Sequence, residues 1–101
     1  ADVFLLNLGE ETLGDGLRLA QELRRRIPGV RVRSDFTGRS MKAQMRTANR
    51  LGAQYVLIRG DEERTRGTVV CKNMQTGQQD EVPAADASTF LSPRIERPDT
   101  A

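Results

Sequence analysis

The strongest constraint on the fold is the run Val3-Phe4-Leu5-Leu6-Asn7-Leu8, which is almost wholly apolar and stops at Gly9. A strand with only one buried face alternates apolar and polar residues. A continuous run of this length instead predicts a strand covered on both faces, central in a parallel or mixed sheet. Helices must then supply the cover, and the chain provides them. Thr12 and Asp15 resemble a capping box, and Leu13, Leu17, Ala20, Leu23 and Ile27 follow at helical spacing until Pro28-Gly29. Gly14 and Gly16 lie in that helix's first turn at a cost of about 1 kcal/mol each against Ala, which points to close backbone packing there.

Val30 and Val32 alternate with Arg31 and Arg33, predicting a second strand that ends before a Thr37-Gly38-Arg39 turn. Ser40 caps the next helix, whose apolar stripe is Met41, Met45, Ala48 and Leu51, with Lys42, Arg46, Asn49 and Arg50 on the other side and Gly52 closing it. Tyr55 to Ile58 reads as a third strand and Gly60 to Gly67 as a polar loop. Thr68 to Met74 is a fourth strand, and a Thr76-Gly77 turn leads to a fifth ending near Pro83. Ala84 to Leu91 forms a short closing helix. Residues 92–101, with Pro93 and Pro98, read as a disordered tail, so the domain is expected over 1–91. The fold class is therefore α/β: a single domain with a mixed five-stranded sheet, three parallel strands plus an antiparallel meander, flanked by about three helices in the order β-α-β-α-β-β-β-α.

Charge is segregated along this framework. Between Arg18 and Arg50 there are ten basic residues against two acids, Glu22 and Asp35, while the whole chain carries only +2. A local positive surface of this kind suits a polyanion. The run Arg24-Arg25-Arg26 also has a plainer explanation, as a solvated helix end favoured by the helix dipole. The chain has no His and a single Cys, which removes zinc sets, Ser/His/Asp triads and imidazole acid–base chemistry. Cys71 lies beside Val69 and Val70 and reads as a small core residue in a chain from a reducing compartment. No apolar run approaches the roughly 20 residues of a membrane span, so no membrane partner is expected. The start at Ala1 without Met, directly before a strand, is what a piece of a longer polypeptide would show.

Ligands of open α/β sheets gather at strand C-terminal ends, where Asn7 to Gly9, Asp35 to Ser40 and Gly60 to Glu63 are expected to meet. Neither glycine-rich nucleotide motif, G-x-G-x-x-G or G-x-x-x-x-G-K-S/T, occurs there.

An ordered set of segments carries a family likeness. It comprises Asn7-Leu8-Gly9-Glu10-Glu11, Ala20 to Arg24, Gly38-Arg39-Ser40-Met41-Lys42 with Gln44, and Ala48-Asn49-Arg50-Leu51-Gly52-Ala53. It continues through Gly60-Asp61-Glu62-Glu63, Gly67 with Lys72-Asn73-Met74, and Thr76-Gly77-Gln78-Gln79. Over about Asp2 to Leu91 the chain resembles the C-terminal anticodon-binding domain of class II aminoacyl-tRNA synthetases, most of all that of histidyl-tRNA synthetase. Three features depart from the family pattern: Gly14-Asp15-Gly16, where an Ala-rich helix is usual; Arg64, where an apolar residue usually follows the loop Glu; and Cys71.

The resemblance implies a non-catalytic domain that binds the anticodon stem-loop of tRNA(His). The parent would be a cytoplasmic, homodimeric enzyme that attaches histidine to tRNA(His). ATP and Mg would belong to a catalytic domain outside this chain, and the domain itself would need no cofactor. By position, the implied RNA contacts are Gly38 and Arg39 in the turn, Lys42 and Arg46 on the second helix, Glu63 in the loop and Lys72 on the fourth strand. The alternative is a regulatory or protein-interaction module of a synthetase paralogue with the same fold.

Overall fold

The computed structural model describes residues 2–8, 13–34 and 40–95. Its elements are β1 (Val3–Asn7), α1 (Leu13–Arg26), β2 (Val32–Ser34), α2 (Met41–Arg50), β3 (Tyr55–Arg59), α3 (Asp61–Arg66), β4 (Thr68–Asn73), β5 (Gln79–Pro83), a 3-10 turn at Ala84–Asp86, and α4 (Ala87–Leu91). One mixed sheet runs in the order β2-β1-β3-β4-β5, parallel across β2, β1 and β3 and antiparallel from β3 to β5. Every residue of β1 is buried, as its unbroken apolar run requires.

Two cores follow from the side-chain alternation. Val3, Leu5, Leu57, Val69 and Cys71 face Leu19, Leu23 and Ile27 of the α1 segment and Ala87 and Leu91 of α4. Phe4, Leu6, Val56 and Ile58 face Ala48 and Ala53 on the α2 side. Burying each of the larger aliphatic side chains contributes about 1.5–3 kcal/mol. Beyond β3 the second face carries Val70 and Lys72, half-buried, and Gln79 and Glu81, exposed. Among the described residues, no helix is long and apolar enough to cross a membrane.

The structure corrects the sequence reading in four places. Gly60 to Gly67 is a helical turn, α3, rather than a loop. Glu63 Oε1 accepts from the Gly60 N–H at 2.7 Å at its start, three acids fill its first turn, and Gly67 ends it at φ 70°. Leu17 is 52% exposed and Gly16 takes its place against the sheet. A Cβ at Gly16 would lie 2.4 Å from Asn7 Oδ1, whereas one at Gly14 would meet nothing, so only Gly16 has the predicted close packing. Met41 is 42% exposed, and Gln44, wholly buried, replaces it by donating from Nε2 to the Asn7 carbonyl at 3.0 Å. A buried carbonyl must find a donor, and this outranks one more apolar contact.

The fourth correction concerns the C-terminal boundary. Ile95 is buried in the α1-side core and its N–H donates to the Leu91 carbonyl, so the packed chain extends past Leu91 into the expected tail. The remainder of that tail, 96–101, lies outside the described residues.

Candidate nucleic-acid interface

Helix α2 is positioned by its cap and by its buried side. Ser40 Oγ accepts from the Ala43 N–H at 3.2 Å, and Gln44 and Ala48 pack under the helix. The 3.6-residue period then leaves Lys42, Arg46, Asn49 and Arg50 exposed. Among the described residues, no ion pair engages Lys42, Arg46 or Arg50. Their charge is therefore available to a phosphate backbone, in contrast to Arg25 and Arg26, which Glu22 holds in a salt-bridged pair.

Lys72 sits on β4 opposite Val56 and Gln79, and Val56 belongs to the core under α2. The structure thus brings Lys42, Arg46 and Lys72 to one side of the sheet. Glu63 is not beside Lys72. It follows the end of β3 whereas Lys72 pairs near its start, and the three residue steps from Val56 to Arg59 separate those levels by about 10 Å. The Glu63 carboxylate is also in use: Oε1 takes the Gly60 N–H, and Oε2 lies 3.4 Å from an Arg66 guanidinium nitrogen. Gly38 and Arg39 lie outside the described residues, as do Gly9, Asp35 and Phe36.

Two ionic clusters were not legible beforehand. Arg66 donates to Glu81 at 2.8 Å, tying α3 to β5, and Thr68 donates to the same Glu81 oxygen. Hydrogen bonds from Arg66 and then Thr68 hold the Glu81 carboxyl below the usual range, and Glu81 in turn raises Arg66. The other cluster centres on Asp15. Arg18 donates to Oδ1, and Oδ2 lies 3.3 Å from Arg64 Nε and 3.8 Å from an Arg59 guanidinium nitrogen. The Arg18 hydrogen bond, with Arg59 and Arg64 nearby, lowers the Asp15 pKa below its ordinary value. Asp15 and Arg64 are two of the departures from the family pattern, so these departures meet in space.

Cys71, the third departure, is fully buried, and burial pushes its thiol up to about 12 with a further rise from Asp80. That is the signature of a core residue.

A mixed sheet with α2's basic face on one side defines a class of α/β domain whose surface suits a polyanion, and comparison with known proteins gives its family. The chain belongs to the anticodon binding domain family, which matches residues 2–94. It is 43% identical over 96 residues to the histidine–tRNA ligase of Geobacillus thermodenitrificans, and 36% identical over 95 residues to that of Thermotoga maritima. These matches cover 95% and 94% of this chain but only 22% of each relative. Among solved structures, histidyl-tRNA synthetase from Nostoc sp. superposes with a TM-score of 0.85 at 29% identity, covering 93% of this chain and 22% of that one. The RNA binding domain of threonyl-tRNA synthetase from Cryptosporidium parvum shares the fold, with a TM-score of 0.80 at 22% identity over 91% of this chain and 23% of that one.

Proposed function

We propose that this domain binds tRNA(His) through its anticodon stem-loop, for an enzyme that attaches histidine to tRNA(His) using ATP. The observation that carries the reading is the set of cations Lys42, Arg46 and Arg50 on one exposed helix face, which form no ion pair among the described residues, with Lys72 on the same side of the sheet, in a member of the anticodon binding family. Lys42 and Arg46 hold phosphates, which positions the RNA without reading it. Lys72 reaches from the sheet to base edges, as unpaired bases of RNA are usually read. Gly38 and Arg39 supply backbone approach and a further cation at the start of α2. Glu63 contributes Oε2, the oxygen that its cap leaves less engaged, to a base amino group. ATP and Mg act on a catalytic domain outside this chain, in a homodimeric cytoplasmic parent.

Titration of a labelled tRNA(His) anticodon stem-loop at several salt concentrations tests this. Three phosphate contacts give a log–log slope of about −2 to −3. Lys42→Ala should lower that slope by roughly 1 and weaken cognate and non-cognate loops alike. Binding that is absent at low salt, or insensitive to salt, would refute an RNA role for α2.

A further inference from the structure

The connections from β1 to β2 and from β2 to β3 run on opposite faces of the sheet, since α1 packs on one side and α2 on the other. The adjacent parallel strands β1 and β3 therefore flank a topological switch point, and the C-terminal ends of such strands open a crevice where open α/β sheets bind ligands. Here those ends are Asn7 and Arg59, which are direct partners in the β1–β3 register.

Both residues carry a buried donor that has no hydrogen-bond partner among the described residues. Asn7 is 5% exposed and its Nδ2 has no partner among the described residues. The Arg59 side chain is 14% exposed and its Nε likewise has none. A buried donor left unsatisfied costs about 1–3 kcal/mol, and of the two Arg59 also lines the cavity beside Asp15 and Arg18. Gly16 lets the first turn of α1 rest directly on the Asn7 side chain, which brings the positive end of a 14-residue helix to the same place.

Charge points the same way. Arg18, Arg59 and Arg64 converge on the single carboxylate of Asp15, leaving an excess of positive charge. Glu22, which also lines the cavity beside Asp15, is taken up by Arg25 and Arg26. A cavity of about 240 Å³ opens beside Asp15, Arg18 and Arg59, between α1 and the Ala84-Ala85 turn. Guanidinium groups present planar arrays of donors suited to phosphate oxygens, and a phosphate, with more charge and more acceptors, can displace one carboxylate from three of them.

We propose that the β1–β3 switch point is a phosphate-group site, in which Arg18, Arg59 and Arg64 take the oxyanion and Asp15 occupies their centre when the oxyanion is absent. The site lies on the α1 side of the sheet and stands independently of RNA binding by α2. The phosphate can come from a small molecule, such as inorganic phosphate or a nucleotide, or from a phosphodiester of an RNA strand that passes the sheet edge.

The test follows the Arg59 Nε–H and Asn7 side-chain amide resonances of the isotopically labelled 101-residue chain. Inorganic phosphate, a ribonucleoside monophosphate and a short single-stranded oligoribonucleotide are titrated separately at constant ionic strength, with chloride as control. Saturable shifts of both groups are expected with at least one phosphate source. Movement with the small anions identifies a small-molecule site, and movement with the oligoribonucleotide alone identifies a phosphodiester site. Arg59→Met should abolish saturation. Arg18→Gln, at an exposed position that leaves the fold intact, should weaken it severalfold, and Asp15→Asn should tighten it about fivefold or more by removing the competing charge. Chloride shifting the same resonances equally, no saturation with any source, or Asp15→Asn leaving the affinity unchanged would overturn the proposal.

Discussion

Gly14 and Gly16 sit two residues apart in α1, yet alanine should act on them with opposite sign. Replacing Gly by Ala in a helix gains about 1 kcal/mol at either position. At Gly14 nothing lies within 4 Å of the new Cβ, so the gain is realised. At Gly16 the Cβ would stand 2.4 Å from Asn7 Oδ1 and 3.0 Å from Asn7 Cγ, distances that force a shift. Asn7 has little room to move, because it is buried at the end of β1 and its carbonyl holds Gln44. Overpacking of this kind costs about 1–3 kcal/mol, so Gly16→Ala should be neutral to about 2 kcal/mol destabilising. Propensity cancels between the two variants, and their separation, about 1–3 kcal/mol, isolates the clash. Urea unfolding of both variants measures it, with unchanged m-values confirming that the native state alone is affected. Asn7→Ala provides the control: in that background the obstructing amide is gone, and Gly16→Ala should become stabilising, giving a coupling energy of about 1–3 kcal/mol. Equal stabilisation by both alanines, or a Gly16→Ala cost that persists without the Asn7 side chain, would refute the packing argument.

Other expectations concern protons, thiol chemistry and the α3 cap. The folded pKa values of Asp15 and Glu81 are depressed, so the unfolded chain binds protons first as pH falls; stability is full above the ordinary values of 3.8 and 4.5 and is lost as pH drops below them. Thermal melts on either side of about pH 4 should show this, and Asp15→Asn should flatten the profile. Cys71 should resist a thiol reagent near pH 8 in the folded chain and react promptly in urea, as followed by mass spectrometry, because burial holds the thiol protonated. Glu63→Ala should cost about 0.5–2 kcal/mol by releasing the Gly60 N–H, whereas Glu63→Gln keeps an acceptor there and should preserve stability. If Glu63 also reads a base, Glu63→Gln narrows discrimination between cognate and base-substituted loops, and stem-loop titrations would reveal it.

Much of this protein follows from local pattern alone. The apolar run of β1, the stripe that separates Ala48 from Lys42 and Arg46 in α2, and the turns between strands depend on the periods of strand and helix, which are properties of short segments. The mixed five-stranded sheet inferred from them, three parallel strands followed by an antiparallel meander, is the one observed. Even α3 left a local trace, acids first and a glycine last, in what reads as a loop. Local pattern could not say which polar groups would be buried or which charges would meet. Gln44 displaces Met41 because the Asn7 carbonyl lies above it, Gly16 displaces Leu17 because the Asn7 side chain lies beneath it, and Ile95 is core because α1 and the sheet leave room for it. Asp15 finds Arg59 and Arg64 only once the β1–β3 pairing brings α1 and α3 to the same edge. Hydrogen bonds and ion pairs act through space over a few ångströms, so their partners are chosen by the folded arrangement and not by distance along the chain.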